Sequence, residues 1–159
     1  MVIRPADPSE HAALGDLCVA AYAADDLAPP GYEGSLRDVA TRAASAEILV
    51  AEDDADLLGT VTLVLDPGPM REISTPDEGE FRMLAVAPHA RRKGAGTALV
   101  RACAERARER GRRALVCSSQ PSMRSAHAIY ERLGFVRDPT RDWSPVPGVE
   151  LLAFQLPLR

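Results

Sequence analysis

Three features of this 159-residue sequence predict an α/β chain of the mixed α+β kind. The expectation is one domain over residues 1–159, a central twisted mixed sheet of about seven strands flanked by about four helices. The first feature is Leu84 to Thr97, LAVAPHARRKGAGT, which reads as a strand, a basic glycine turn and a helix start. The second is the pair of apolar runs Glu47–Glu52 and Leu57–Leu65 around the turn residues Asp53 to Asp56, a hairpin pattern. The third is the order of patterns along the chain, β-α-α-β-β-β-α-β-α-β-β. Only the strand–helix–strand around 79–117 demands a parallel crossover, and the hairpins on either side make the sheet mixed.

Val2 to Ala6 is a first strand stopped by Pro5, after which Asp7 or Ser9 can cap a helix carrying Leu14, Leu17, Cys18 and Ala21 on one side. That helix fades near Asp25 and Asp26. Leu27 to Gly34, with Pro29-Pro30-Gly31-Tyr32, reads as an exposed loop, and Ser35 to Ala44 as a second, shorter helix. Beyond the hairpin, Asp66 to Asp77 holds three prolines and a glycine and must be a loop, and Gly79 to Ala87 is a fourth strand. Ala98, Leu99, Ala102, Cys103 and Ala107 give the next helix its apolar face, and Gly111 ends it. Arg113 to Cys117 is a fifth strand, and Met123 to Leu133 a helix stopped by Gly134. Phe135–Arg137 and Glu150–Leu156 are the last two strands.

Hydrophobic residues make up 46% of the chain and charged residues 26%, a composition that folds and does not stay disordered. The net charge of −4 argues against nucleic acid or an acidic membrane as a partner, so the cations at 91–93 and 101–113 are a local feature of an acidic protein. No aromatic residues interleave with them, as a nucleic-acid groove would need. Cys18, Cys103 and Cys117 are odd in number and widely spaced, which predicts buried thiols in a reduced, cytoplasmic chain and no cysteine metal site. MVIRPADPSE lacks the apolar core of a signal peptide, and no apolar run is long enough for a membrane span.

The chemistry concentrates where the fourth strand meets its helix. The first amides of a helix have no intrahelical partner and carry partial positive charge; placed beside Arg91, Arg92 and Lys93 they make an anion site, most simply for phosphates. Gly94 and Gly96 allow a ligand to approach the backbone and allow angles closed to other residues. The turn has no Gly-Lys-Ser/Thr ending, so a nucleoside triphosphate with magnesium fits less well.

Arg91-Arg92-Lys93-Gly94-Ala95-Gly96 resembles the (Gln/Arg)-x-x-Gly-x-(Gly/Ala) signature of the GCN5-related N-acetyltransferases, the GNAT family, with LAV-x-P before it. Ala126 to Phe135, AHAIYERLGF, is similar to that family's A-x-x-x-Y-x-x-x-G-F segment, and the element order agrees over nearly the whole chain. The resemblance implies an acyl-CoA N-acyltransferase fold whose fourth and fifth strands splay into a cleft for acetyl-CoA. It implies that backbone groups of Leu84, Ala85 and Val86 hold the acetyl and pantetheine parts, and that the amides around Arg92 to Thr97, Ala95 included, hold the pyrophosphate. It also marks a departure: the position seven before the tyrosine is often Asn in the family and is Met123 here, which leaves an apolar lining unless Ser122 or Ser125 compensates.

Acetyl transfer to an amine needs a base, a stabilised oxyanion and a proton for the departing thiolate; no metal is required. By resemblance, Tyr130 supplies that proton, and Glu80, eleven residues before Arg91, is the base directly or through water. Strand alternation sets Glu80, Arg82, Leu84 and Val86 on one face unless a bulge intervenes; an edge carboxylate paired with Arg82 is the structural alternative for Glu80. His127 is a second base candidate, and His89 a candidate phosphate contact. The acceptor amine, on a small molecule or a peptide, is expected between residues 27–34 and 137–149, where Tyr32, Asp25, Asp26, Asp142 and Trp143 offer acidic and aromatic surface or simply end a helix and pin a loop. The expected enzyme works by direct transfer in a ternary complex. The alternative is a catalytically silent CoA-binding regulatory or interaction module, and many relatives pair as homodimers.

Overall fold

The computed structural model describes residues 1–29 and 31–159; Pro30, expected within the exposed loop, lies outside the described residues. Seven strands form one sheet: β1 (Val2–Pro5), β2 (Glu47–Asp53), β3 (Asp56–Val64), β4 (Glu78–Val86), β5 (Ala114–Ser119), β6 (Val136–Arg137) and β7 (Leu152–Pro157). Their spatial order is β1-β2-β3-β4-β5-β7-β6. All neighbours are antiparallel except β4 and β5, the crossover the sequence requires. Five helices accompany them: α1 (His11–Ala24), α2 (Glu33–Arg37), α3 (Val39–Ala43), α4 (Ala95–Glu109) and α5 (Arg124–Leu133). Among the described residues no helix is long and apolar enough to cross a membrane.

The expected second helix, 35–44, is broken in two. Asp38 leaves helical geometry at ψ 66° and its carboxylate accepts from the Thr41 amide, so it caps α3 instead of continuing α2. The break lets the end of α2 approach α1 so closely that a Cβ on Gly15 would sit 2.4 Å from the Arg37 carbonyl. Of the two candidate caps, Asp7 caps the short 3-10 turn Pro8–Glu10 that leads into α1: it accepts from the Ser9 amide while Glu10 accepts from the Asp7 amide, a capping box. The β2–β3 hairpin turns through Asp54 and Ala55, both at positive φ, the mirror-type turn whose twist suits paired strands.

Helix α4 lies on one face of the sheet, where Leu99, Cys103 and Ala107 meet Leu49, Val61, Leu63, Phe81 and Leu115. Helices α1 to α3 cover the other face; there Cys18, Ala21, Tyr22 and Leu36 meet Met83 and Ala85, while Leu14 and Val39 meet Ile48 and Val50. The central strand β3 is therefore buried on both sides, which explains its nearly unbroken apolar run. Its two threonines are satisfied: Thr60 donates to the Leu49 carbonyl, and Thr62 accepts from the buried Arg42 guanidinium. All three cysteines are free and buried.

Two strands differ from expectation in ways that shape the site. β5 extends to Ser119 because Leu152 and Ala153 of β7 continue to pair with it, and this carries Ser118 and Ser119 up to the cleft. β4 contains a bulge: Thr60 pairs with Ala85 and Thr62 with Arg82, so two residues of β4 oppose one of β3, and Met83 takes φ 54°.

Candidate active site

Beyond the bulge the side-chain alternation of β4 is reversed. Met83 and Ala85 pack with Cys18 and Tyr22 beneath α1, and Leu84 and Val86 pack with the α4 core. The expected common face for Glu80, Arg82, Leu84 and Val86 is thus split, because the extra residue shifts the period-two count by one. The same strand pairs with β5 only through Glu78, Gly79 and Glu80. From Phe81 to Val86 its β5-facing edge has no strand partner among the described residues, and a cleft opens there.

At the mouth of the cleft, Arg92 (φ 67°) and Gly94 (φ 82°) fold the turn back onto α4. No side chain caps the helix, which leaves the amides of Ala95, Gly96 and Thr97 for an external anion. The two glycines divide the work in a way the sequence does not distinguish. Gly94 supplies the left-handed angle, while Gly96 permits helix packing: a Cβ there would lie 2.9 Å from Ile129 Cδ1 of α5. Arg92 and Lys93 have no acidic partner among the described residues, whereas Arg91 is taken up by Asp25 at 2.8 Å and by the Ala21 carbonyl. Arg132 of α5 reaches Thr97 Oγ1 at 3.4 Å, one further cation at the helix start. An unpaired extended strand edge leading to uncapped helix amides and free cations fits a pantetheine arm ending in a pyrophosphate. Most cations of α4 and its exit are occupied elsewhere: Arg106 with Glu47, Arg110 and Arg112 with Asp66, Arg113 with Asp77 and Glu78.

Inside the cleft is a cavity of about 320 Å³. Tyr130 and Met123 line it from α5, Leu84 and Met83 from the bulge, and Ser119 and Gln120 from the end of β5. Tyr130 is 3% exposed and packs among Phe81, Phe135 and Phe154. Burial pushes its phenol well above the usual range, so it carries its proton at neutral pH. Ser119 Oγ lies 2.9 Å from His127 Nε2. Burial lowers the His127 pKa, which favours the neutral ring.

Glu80 does not line this cavity. It is 1% exposed, and its carboxylate accepts from the amides of Glu72, Ile73 and Ser74 and from the Ser74 hydroxyl. Nor does it pair with Arg82. The carboxylate that reaches the cavity is Glu72, held 2.9 Å from Arg82 Nε, with side chains 22% and 15% exposed. Burial raises the Glu72 pKa above the ordinary carboxylate value, with Arg82 opposing and Glu80 adding to the rise. Sequence reading missed both Glu72, placed in a loop with nothing else to mark it, and the reach of Arg82. Glu78, two residues from Glu80, is fully buried for another purpose: Arg141 meets it in a fork at 2.6 and 2.8 Å, tying the loop after β6 to β4.

Of the residues expected around the acceptor, Tyr32 lines the cavity, 6.1 Å from Tyr22 ring to ring. Asp25 instead holds Arg91, Asp26 follows the helix end in left-handed geometry, and Asp142 is forked to Arg137. Trp143 pins its loop through a bridge to Leu151 and an indole bond to Ser118 at 3.4 Å. That loop presents Val146 and Val149 to the cavity in its place. His89 faces Asp56 at 2.9 Å, not the phosphate turn.

Comparison with known proteins places this geometry. Over residues 11–135 the chain matches the model of the Acetyltransferase (GNAT) family. It is 40% identical over 88 residues to the mycothiol acetyltransferase of Mycobacteroides abscessus, covering 55% of this chain but only 27% of that protein. Among solved structures, the Salmonella typhimurium protein yncA with its cofactor acetyl-CoA superposes with a TM-score of 0.71 at 21% identity, over 100% of this chain and 94% of that one. The ribosomal-protein-S18-alanine N-acetyltransferase of Escherichia coli gives a TM-score of 0.74 at 20% identity, over 99% and 93%. At those identities the structures speak for the fold alone, but the family model spans most of the chain and both of its motif segments. The chain belongs to the GNAT family, the acetyl-CoA-dependent N-acetyltransferases.

Proposed function

We propose that this enzyme moves the acetyl group of acetyl-CoA directly to a primary amine seated in the cavity, within a ternary complex and without an acyl-enzyme. The observation that carries the reading is the position of Tyr130, a protonated phenol on the cavity wall where β4 and β5 part, with a carboxylate, Glu72, on the same cavity. Acetyl-CoA supplies the activated acyl group and a thiol as leaving group. Glu72 takes a proton from the acceptor ammonium, and its raised pKa makes it a stronger base than an ordinary carboxylate. Tyr130 gives its phenolic proton to the departing sulfur. Ser119, which lines the same cavity and is bonded to His127, steadies the phenolate so formed and passes a proton back to it. Glu80 acts one step removed, fixing the 72–74 loop that carries Glu72. Leu84, Ala85 and Val86 offer the unpaired strand edge, Met123 the apolar lining, and Arg92 to Thr97 the anion site.

Thiol release from acetyl-CoA, measured across a panel of amino acids, polyamines, aminoglycosides and peptides, tests the proposal. Release that depends on an amine and yields its N-acetyl derivative is expected. Tight CoA binding with no release for any amine would favour the silent binding module. An acetylated side chain trapped on the enzyme before amine is added would remove direct transfer.

A further inference from the structure

The ion pair on the cavity wall restricts what the acceptor can be. Arg82 Nε and Glu72 Oε1 are 2.9 Å apart, both side chains are mostly buried, and both line the cavity that holds Tyr130. The pair is rigidly placed. Four donors of residues 72–74 bond the buried Glu80 and fix the loop behind Glu72, and Arg82 is anchored on β4 with one Nη1 bond to the Met70 carbonyl. Tyr32 lines the same cavity, and its phenol feels the Arg82 charge.

A simple monoamine brings one positive charge. If it engages Glu72, it draws that carboxylate away from Arg82 and leaves a mostly buried guanidinium without compensation, a costly arrangement. A ligand that carries an ammonium and a carboxylate side by side avoids that cost, because each member of the pair gains an opposite charge from the ligand. Resting on the deepened reading of this cavity as the amine site, we propose that the acceptor is an α-amino acid, its ammonium on Glu72 and its carboxylate on Arg82 and the Tyr32 hydroxyl. The remaining wall, Tyr22, Met83, Val146 and Val149, is apolar and suits an apolar side chain. The proton balance is that of the acetyl-transfer step: the ammonium gives one proton to Glu72, the nitrogen then bonds the acetyl carbon as the carbon–sulfur bond breaks, and the sulfur takes its proton from Tyr130. The second nitrogen proton restores the phenol through Ser119.

The test sets matched acceptors against each other at saturating acetyl-CoA: leucine against isoamylamine, phenylalanine against phenethylamine, and each amino acid against its carboxamide. The expected result is a kcat/KM at least tenfold higher for the free amino acids. Arg82→Gln should abolish that preference, chiefly through KM, while acetyl-CoA binding by calorimetry stays within twofold. A second readout needs no turnover: leucine should bind the CoA-loaded wild-type enzyme and isoamylamine should bind more weakly. Equal or better use of the decarboxylated amines or the carboxamides by the wild type overturns the amino-acid assignment and leaves acetyl transfer standing. Failure of every amine to release thiol overturns acetyl transfer and this assignment together. Should Arg82→Gln fail to fold, the wild-type panel and the binding comparison decide alone.

Discussion

The two walls of the cleft are built by different means. The wall from the β4 bulge through the basic turn to α4 is made of backbone: an unpaired strand edge, left-handed angles at Arg92 and Gly94, and uncapped helix amides. The opposite wall is made of side chains from Tyr22, Tyr32, Glu72, Arg82 and Val146, brought together from segments far apart in sequence. A backbone site keeps its ligand while most of its side chains vary. A side-chain site is where one enzyme can differ from the next, and the resemblance that identified the first wall says nothing of the second.

The largest effect is expected where the walls meet. Tyr130→Phe keeps the ring packed against Phe81 and Phe154 but removes the phenolic proton proposed for the departing sulfur. The expected loss is about 10² to 10⁴-fold in kcat, the range for one general acid, with acetyl-CoA affinity unchanged by calorimetry. Unaltered turnover would remove Tyr130 as the acid, and lost binding would move it into the backbone-built wall.

Next comes the loop that presents Glu72. Glu80→Ala strips the partner from three amides and a hydroxyl in a buried place, at a cost of about 2 to 3 kcal/mol by the usual penalty for unsatisfied groups, read as a lower Tm. If the walls are independent, the acceptor KM rises and the acetyl-CoA Kd does not; equal damage to both would break the comparison. The pH profile sharpens the same point. Glu72 must be ionised to act as a base and its pKa is raised, so kcat/KM should fall as pH drops, with a midpoint above the ordinary carboxylate range. Glu72→Gln should lower the rate and flatten that acid limb.

What could be read in the sequence follows the same division. The order of elements along the chain, the crossover and the β2–β3 hairpin rest on local patterns, such as turn residues and apolar periodicity, and the fold agrees with each of them. The β4 bulge is set by pairing with β3, across some twenty residues, and it reverses which residues face α1. Glu80 is expected as the base because it resembles the position of a glutamate base in some family members. Its burial against residues 72–74 depends on how a proline-rich loop folds back over β4, and no local pattern encodes that. Asp25 and Asp142 looked like acceptor surface because acidic residues in loops are visible in sequence while their arginine partners, Arg91 and Arg137, are not.

Gly96→Ala probes the backbone wall with a single methyl. The added carbon meets the end of a flexible Ile129 side chain at 2.9 Å, so the helix pair must give slightly, at about 1 kcal/mol. Acetyl-CoA binding should weaken a few-fold with the acceptor KM unchanged, and Ile129→Val, which removes that terminal methyl, should restore it. Without rescue, the small residue at 96 serves the ligand directly and not the α4–α5 contact.

The smallest effect concerns the ion pair that joins the end of α1 to the turn before α4. Arg91 holds Asp25 at 2.8 Å with both side chains around two-fifths exposed, so the pair contributes well under about 1 kcal/mol. Asp25→Asn should therefore leave Tm almost unchanged. It frees Arg91 to swing toward the turn, which adds a cation near the uncapped amides of α4, and it removes an anion from the same neighbourhood. Both changes favour a pyrophosphate, so the acetyl-CoA KM should fall up to about twofold at low salt, and the difference should vanish near 0.5 M salt, where such exposed charges are screened. A rise in KM would instead mean that Asp25 positions the turn through Arg91, and that the end of α1, on the side-chain wall, also helps build the backbone one.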